Sequence, residues 1–103
     1  MARSKKFRDL LIEKLQNSKE ARLYFEAILE ECKECDEEEA KKLVLQALKN
    51  IADAQGGIAA LAAKTKLGRP SLYKTLSPEG NPKLSTIITI TNALLSFSSR
   101  TQK

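Results

Sequence analysis

The chain of 103 residues predicts an all-α fold, a small helix-turn-helix domain with a helical arm in front of it, on three observations. Apolar residues recur at i, i+3 and i+4 over most of its length, the period of amphipathic helices. Glycine and proline fall between the periodic segments, at Gly56-Gly57 and in Ser77-Pro-Glu-Gly-Asn-Pro82, rather than inside them. The stretch Ile58 to Leu76 reads as two short helices separated by a tight turn, the layout of a DNA-binding helix pair.

The first helix follows a basic lead-in, Arg3, Lys5, Lys6 and Arg8, and carries Phe7, Leu10, Leu11 and Leu15 at helical spacing. Asn17-Ser18 interrupts it, and Ser18 is the expected cap of a second helix running to about Cys35, with Ala21, Tyr24, Phe25, Ile28, Leu29 and Cys32 on its apolar side. Asp36 before Glu37, Glu38 and Glu39 predicts the start of a third helix, because a capping carboxylate and an acidic first turn both complement the helix dipole. Ala40, Leu43, Val44, Ala47, Leu48, Ile51 and Ala52 continue the pattern until Gly56-Gly57 stops it. The expected organisation is an N-terminal arm, 1–36, that contacts a partner, and a DNA-binding domain, 37–103.

In the helix pair, Ala62 allows close crossing, and Leu61, Leu72 and Leu76 pin one helix against the other. Pro70 biases the residue before it away from the α region, so the second helix is expected to begin at Pro70 with Arg69 as its cap. Arg69, Pro70, Ser71, Tyr73 and Lys74 then lie on or near the outward face, where a recognition helix meets the major groove. Lys64, Lys66, Asn81 and Lys83 flank that face and complete the candidate DNA-binding set. Ser85 is expected to cap a last helix with Ile87, Ile88, Ile90, Leu94 and Leu95 as its apolar face. The β-branched run from Thr86 to Thr91 makes a strand the competing reading there, and Leu95 to Ser99 an alternative edge strand.

Charge is distributed unevenly. From Gln55 onward the basic residues are Lys64, Lys66, Arg69, Lys74, Lys83, Arg100 and Lys103 against Glu79 alone, for +6, whereas the first 54 residues sum to −1. The excess sits where phosphate neutralisation needs it. Glu20 to Glu39 holds nine acids against Arg22 and Lys33, either a solvated helix face or a landing surface for a basic protein.

Other classes find little support. No run of about eighteen apolar residues and no secretory h-region occurs, which predicts a cytoplasmic protein without membrane contact. Cys32 and Cys35 form one CxxC without any histidine, too few ligands for a structural zinc in one chain, and are expected as reduced thiols with Cys32 half-buried. Ser71-Leu-Tyr-Lys74 fits an S-x-x-K pattern, but its companion motifs are absent. No glycine-rich phosphate loop is present, so neither catalysis nor a cofactor is expected.

Leu61 to Thr86, and most specifically Leu-Tyr-Lys-x-Leu-Ser-x-x-Gly-Asn-Pro-x-Leu-Ser-Thr from Leu72 onward, resembles the addiction-module antidote proteins, the HigA-like antitoxins with a lambda-repressor-type fold. Phe7 to Leu15 and Tyr24 to Glu31 are similar to that family's opening and second helix. Where the family is expected to have a turn glycine and a capping Ser or Asn, this chain has Lys66 and Gly68. The resemblance implies an antitoxin that binds a small basic RelE/ParE-like toxin and, as a homodimer, represses its own operon by binding double-stranded operator DNA. Phe7, Leu10 and Leu11 are the expected apolar anchor for the toxin, with Glu30, Glu31 and Glu34 steering it. The competing reading is a stand-alone repressor without a toxin.

Overall fold

A computed structural model of the chain describes residues 2–95, with side chains from Lys6 onward. It is all-helical: α1 (Ala2–Leu15), α2 (Ser18–Cys32), α3 (Glu37–Ala54), α4 (Gly57–Thr65), α5 (Arg69–Thr75) and α6 (Leu84–Leu95). The helix expected after Ser85 is present and the competing strand at 86–91 is not, because Ile90, Leu94 and Leu95 recur at helical spacing and are all buried; tertiary burial outweighs the weak helix propensity of β-branched residues. The alternative strand at 95–99 starts on a residue that is helical, and the rest of it lies outside the described residues.

Helix α3 is the axis of the fold and packs against α1, α2, α4 and α6. Leu45, Leu48 and Ile51 on it are almost fully inaccessible, which explains why its buried surface is broader than one apolar stripe. Leu45 was not on the expected apolar face, and Leu43, which was, is only half-buried. The N-terminal helices belong to the same core: Leu15, Ala21 and Phe25 cluster with Leu48, Leu61 and Leu72. The expected boundary at residue 36 therefore does not coincide with a break in the hydrophobic core.

A polar knot fastens α1 and α2 to α3. Arg8 donates from Nη1 to Asn50 Oδ1 at 2.6 Å and from Nη2 to Asp53 Oδ2 at 2.7 Å, and Lys49 reaches the same carboxylate at 3.2 Å. Asn50, buried, donates to the Tyr24 hydroxyl at 3.1 Å and accepts from Gln46 Nε2 at 3.0 Å. Its amide thus has partners on every side, as a buried polar group requires.

Several helix ends fall one residue or more from expectation. Asn17, not Ser18, caps α2, its side chain accepting from Glu20 N at 3.0 Å. That helix stops at Cys32, short of Cys35. Asp36 caps α3 as expected, accepting from Glu39 N at 2.9 Å. Ser85 lies inside the first turn of α6, whose opening bond runs from Ile87 N to Lys83 O. Gly56 and Gly57 take φ of +109° and +80°, and a Cβ on Gly56 would stand 2.7 Å from that of Ala60, so the reversal between α3 and α4 requires glycine.

Candidate nucleic-acid interface

The segment Gly57–Thr75 forms the expected pair of short helices, α4 and α5, around a three-residue turn, Lys66-Leu67-Gly68. Leu61, Leu72 and Leu76 are buried at the junction and Leu72 is wholly inaccessible, so α5 is held on α4, which in turn packs against α6 and α3. Thr65 organises the turn with one hydroxyl: Oγ1 donates to Leu61 O at 2.8 Å and accepts from Leu67 N at 3.2 Å. Lys66 donates its N–H to Ala62 O at 2.8 Å and takes φ +66°, ψ +16°, the left-handed conformation at which glycine would be unstrained. It is the only non-glycine residue with positive φ among those described.

Gly68, not Arg69, is the cap of α5, with φ −70° and ψ 148°, and its carbonyl accepts from Leu72 N at 3.0 Å. Arg69 is therefore already helical and Pro70 second in the helix. Proline is tolerated there because first-turn N–H groups have no intrahelical acceptor. Having no side chain, Gly68 leaves that end uncapped by any side-chain bond.

Outward from this frame, Lys64, Lys66, Arg69, Pro70, Ser71, Tyr73, Lys74, Asn81 and Lys83 are all exposed. Tyr73 is 59% accessible, unusual for an aromatic ring with a buried apolar face at hand. The 76–83 loop brings Asn81 back beside Lys74, the two lining a small cleft together with Glu79. Gly80 makes that return possible: it is buried, and any Cβ there would overlap the Thr75 carbonyl oxygen. Ser77 and Gly80 close the turn through Ser77 Oγ to Lys74 O, 2.8 Å, and Gly80 N to Ser77 O, 2.9 Å.

The ion pairs among the described residues all lie between Arg8 and Asp53. None involves Lys64, Lys66, Arg69, Lys74 or Lys83, so the cations around α5 carry uncompensated charge at the surface.

The expected partner residues lie elsewhere. Phe7 and Leu10 are 68% and 58% exposed on α1, whereas Leu11 is half-buried and packs on the core. Glu30, Glu31 and Glu34 are exposed at the end of α2, Glu30 paired to Lys33 at 3.2 Å. Sequence reasoning missed Leu23, exposed on α2 beside Leu11 and Tyr24; an apolar residue outside the helix's apolar stripe was the available signal. It also missed Asn50, a polar residue within the buried span of α3, and gave Arg8 no role beyond charge.

Cys32 and Cys35 are half-buried free thiols, their Sγ atoms near Ala40 O and Glu31 O at 3.8 and 3.6 Å. Burial first and then Glu31 push the Cys32 thiol above its ordinary value; for Cys35 burial leads, followed by Glu39, Cys32, Glu31 and Asp36. Among the described residues no His, Cys, Asp and Glu converge as a metal site, and no helix is long and apolar enough to cross a membrane.

An uncharacterized protein of Haemophilus influenzae is 34% identical over 82 residues, covering 80% of this chain and 76% of its own length. No solved structure matches the chain. The family model described as probable addiction module antidote protein matches residues 6–100, a span that takes in all six helices apart from the first turn of α1. This chain therefore belongs to the family of probable addiction module antidote proteins.

Proposed function

We propose that this antidote acts as a DNA-binding regulator of its own module: α5 reads operator DNA in the major groove, and the α1–α2 surface holds a basic toxin of the RelE/ParE-like class. Antidote membership implies a toxin partner. The DNA reading rests above all on one observation, the five cations from Lys64 to Lys83 that are exposed and outside every described ion pair, in the half of the chain that holds a single acid, Glu79. Exposed cations around a short helix, itself fixed by Leu72 and Leu76, suit phosphate neutralisation on both sides of a groove-reading element. Arg69, Ser71 and Tyr73 are the base-edge candidates, and Lys64, Lys66, Lys74 and Lys83 the phosphate contacts, with Pro70 and Asn81 at the margin.

The test is competition between the module's upstream region and random duplex. Tyr73→Ala or Arg69→Ala should relax preference for the operator, whereas Lys64→Ala or Lys83→Ala should weaken both duplexes alike. Four lysine contacts per protomer give a slope of about −3.6 in log K against log salt. A flat salt response would end the DNA reading. On the partner side, Phe7→Lys and Leu10→Lys should abolish co-purification with the toxin and leave operator binding intact. Point changes on the surface of α1 are the suitable probe, because removing the whole helix would also remove Leu15 from the core.

A further inference from the structure

One cation from the first half of the chain faces the loop behind the helix pair. Lys42, on the second turn of α3, lines a cleft of ≈ 320 Å³ together with Ser77 and Pro78, which follow α5. It is exposed and takes part in no ion pair among the described residues. Its neighbour Lys41, by contrast, pairs with Glu38 at 3.4 Å and lines a different groove, between α2, α3 and α6. We infer that Lys42 is a further phosphate contact of the operator-reading surface, which extends past α5 onto α3. The inference rests on the reading of α5 proposed above and adds to it a residue from outside the basic half.

The cleft is continuous with the face around α5. Ser77 Oγ donates to Lys74 O at 2.8 Å, and Lys74 in turn shares the next cleft with Asn81. Lys42 therefore stands at the edge of the same surface rather than on a separate one. The spacing is fixed from beneath: Leu45 on α3 and Leu76 at the end of α5 are both buried and both line the cleft, and close-packed side chains leave little room for the two elements to slide. The neutral groups of the cleft are already engaged, since the Ser77 hydroxyl is spent on Lys74 O and Gln46 Nε2 donates to Asn50 Oδ1 at 3.0 Å. The Lys42 ammonium, with its three donors, is the group left to meet an anion.

Duplex DNA supplies that anion in a series. Each strand presents a charge about every 3.4 Å of helix axis, so a surface that meets phosphates at Lys74 and Lys83 has further phosphates at its margin, and the long flexible stem of lysine carries a point charge to them. Glu39 lines the same cleft one turn before Lys42 and opposes the contact. A carboxylate beside a backbone contact weakens every duplex alike, because phosphates carry no sequence information.

The test is binding of the full chain to the module's upstream region and to random duplex across a salt series. Lys42→Ala should lower the slope of log K against log salt by about 0.9 per protomer, an affinity loss of about eightfold per protomer at 0.1 M relative to 1 M salt, on both duplexes. Lys42→Arg should keep the wild-type slope because it keeps the charge. Lys41→Ala, the same charge change on another face of α3, should leave the slope unchanged, and Glu39→Gln should raise affinity for both duplexes. Helicity should be retained in Lys42→Ala, since the side chain is exposed and alanine is the stronger helix former. Equal losses in Lys41→Ala and Lys42→Ala would reduce the effect to net charge and overturn the proposal. An unchanged slope for Lys42→Ala, in a protein whose slope falls with Lys64→Ala, overturns it as well and leaves the reading of α5 standing. Loss of toxin co-purification by Lys42→Ala with the salt slope intact assigns the cleft to the toxin and also overturns it. A wild type without salt-dependent binding refutes the reading of α5 and this contact together.

Discussion

Lys66 holds a left-handed backbone conformation in the turn that orients α5, and this permits a substitution test in which stability and DNA binding separate. An L-residue in that conformation costs about 1–2 kcal/mol relative to glycine, while glycine's freedom in the unfolded chain returns about 0.4–1 kcal/mol of the difference. The useful comparison is Lys66→Gly against Lys66→Ala. Both remove the same charge from the end of α4, and with it a helix-dipole interaction of about 0.3–1 kcal/mol, so that loss cancels between them. The glycine variant should then be the more stable by about 0.5–1 kcal/mol, or about 2–8 °C in Tm for a domain of this size, measured by thermal and urea unfolding. Both variants should lose one phosphate contact, lowering the salt slope by about 0.9 to the same degree. Equal melting temperatures for the two would refute the claim that the turn stores backbone strain, and unequal salt slopes would refute a simple charge role for Lys66.

Asn50→Ala should destabilise by about 1–3 kcal/mol in urea unfolding, since Arg8 and Gln46 lose their common acceptor and Tyr24 its donor. Gly80→Ala should cost about 1–3 kcal/mol through overlap with the Thr75 carbonyl and should also reduce operator affinity, because relief requires moving the loop that carries Asn81 and Lys83; unchanged stability would show that the loop is free to shift. The raised thiols of Cys32 and Cys35 should alkylate with iodoacetamide more slowly than a free cysteine at the same pH. Their protonated forms are favoured by folding, so the associated stability is present at neutral pH and falls as pH rises above the ordinary thiol value of 9.0; a double Cys→Ser variant should lose that alkaline decline.

Helix existence was legible because each segment keeps a 3.6-residue apolar period and is bounded by strong punctuation, Asp36 and the Gly56-Gly57 pair being the clearest cases. The caps were less legible. Asn17 and Ser18 are both good capping residues in adjacent positions, and only the bond from Glu20 N decides between them. Likewise Pro70 is compatible with the first or second position of a helix, and the Leu72 N to Gly68 O bond selects the second. The exposed set around α5 could be read from the sequence because a seven-residue helix that buries Leu72, with Leu76 buried just after it, leaves few ways to orient the remainder.

Composition and periodicity by themselves determined that this chain is helical and that its uncompensated positive charge falls in the half containing α4 and α5, and the motif from Leu72 to Thr86 carried the resemblance to the antidote proteins. These are local or additive properties, available without knowing which segments meet. What only the tertiary structure decided concerns neighbours distant in sequence. Arg8 reaches Asn50 and Asp53, which makes the N-terminal helices part of the core. Residues from α2, α3 and α6 line one groove, although each helix alone shows only a few apolar residues more than its own stripe needs. Burial is a property of the packed chain rather than of any segment, so the sequence could name the apolar residues but not that Leu23, Leu84 and Ile88 among them would remain uncovered.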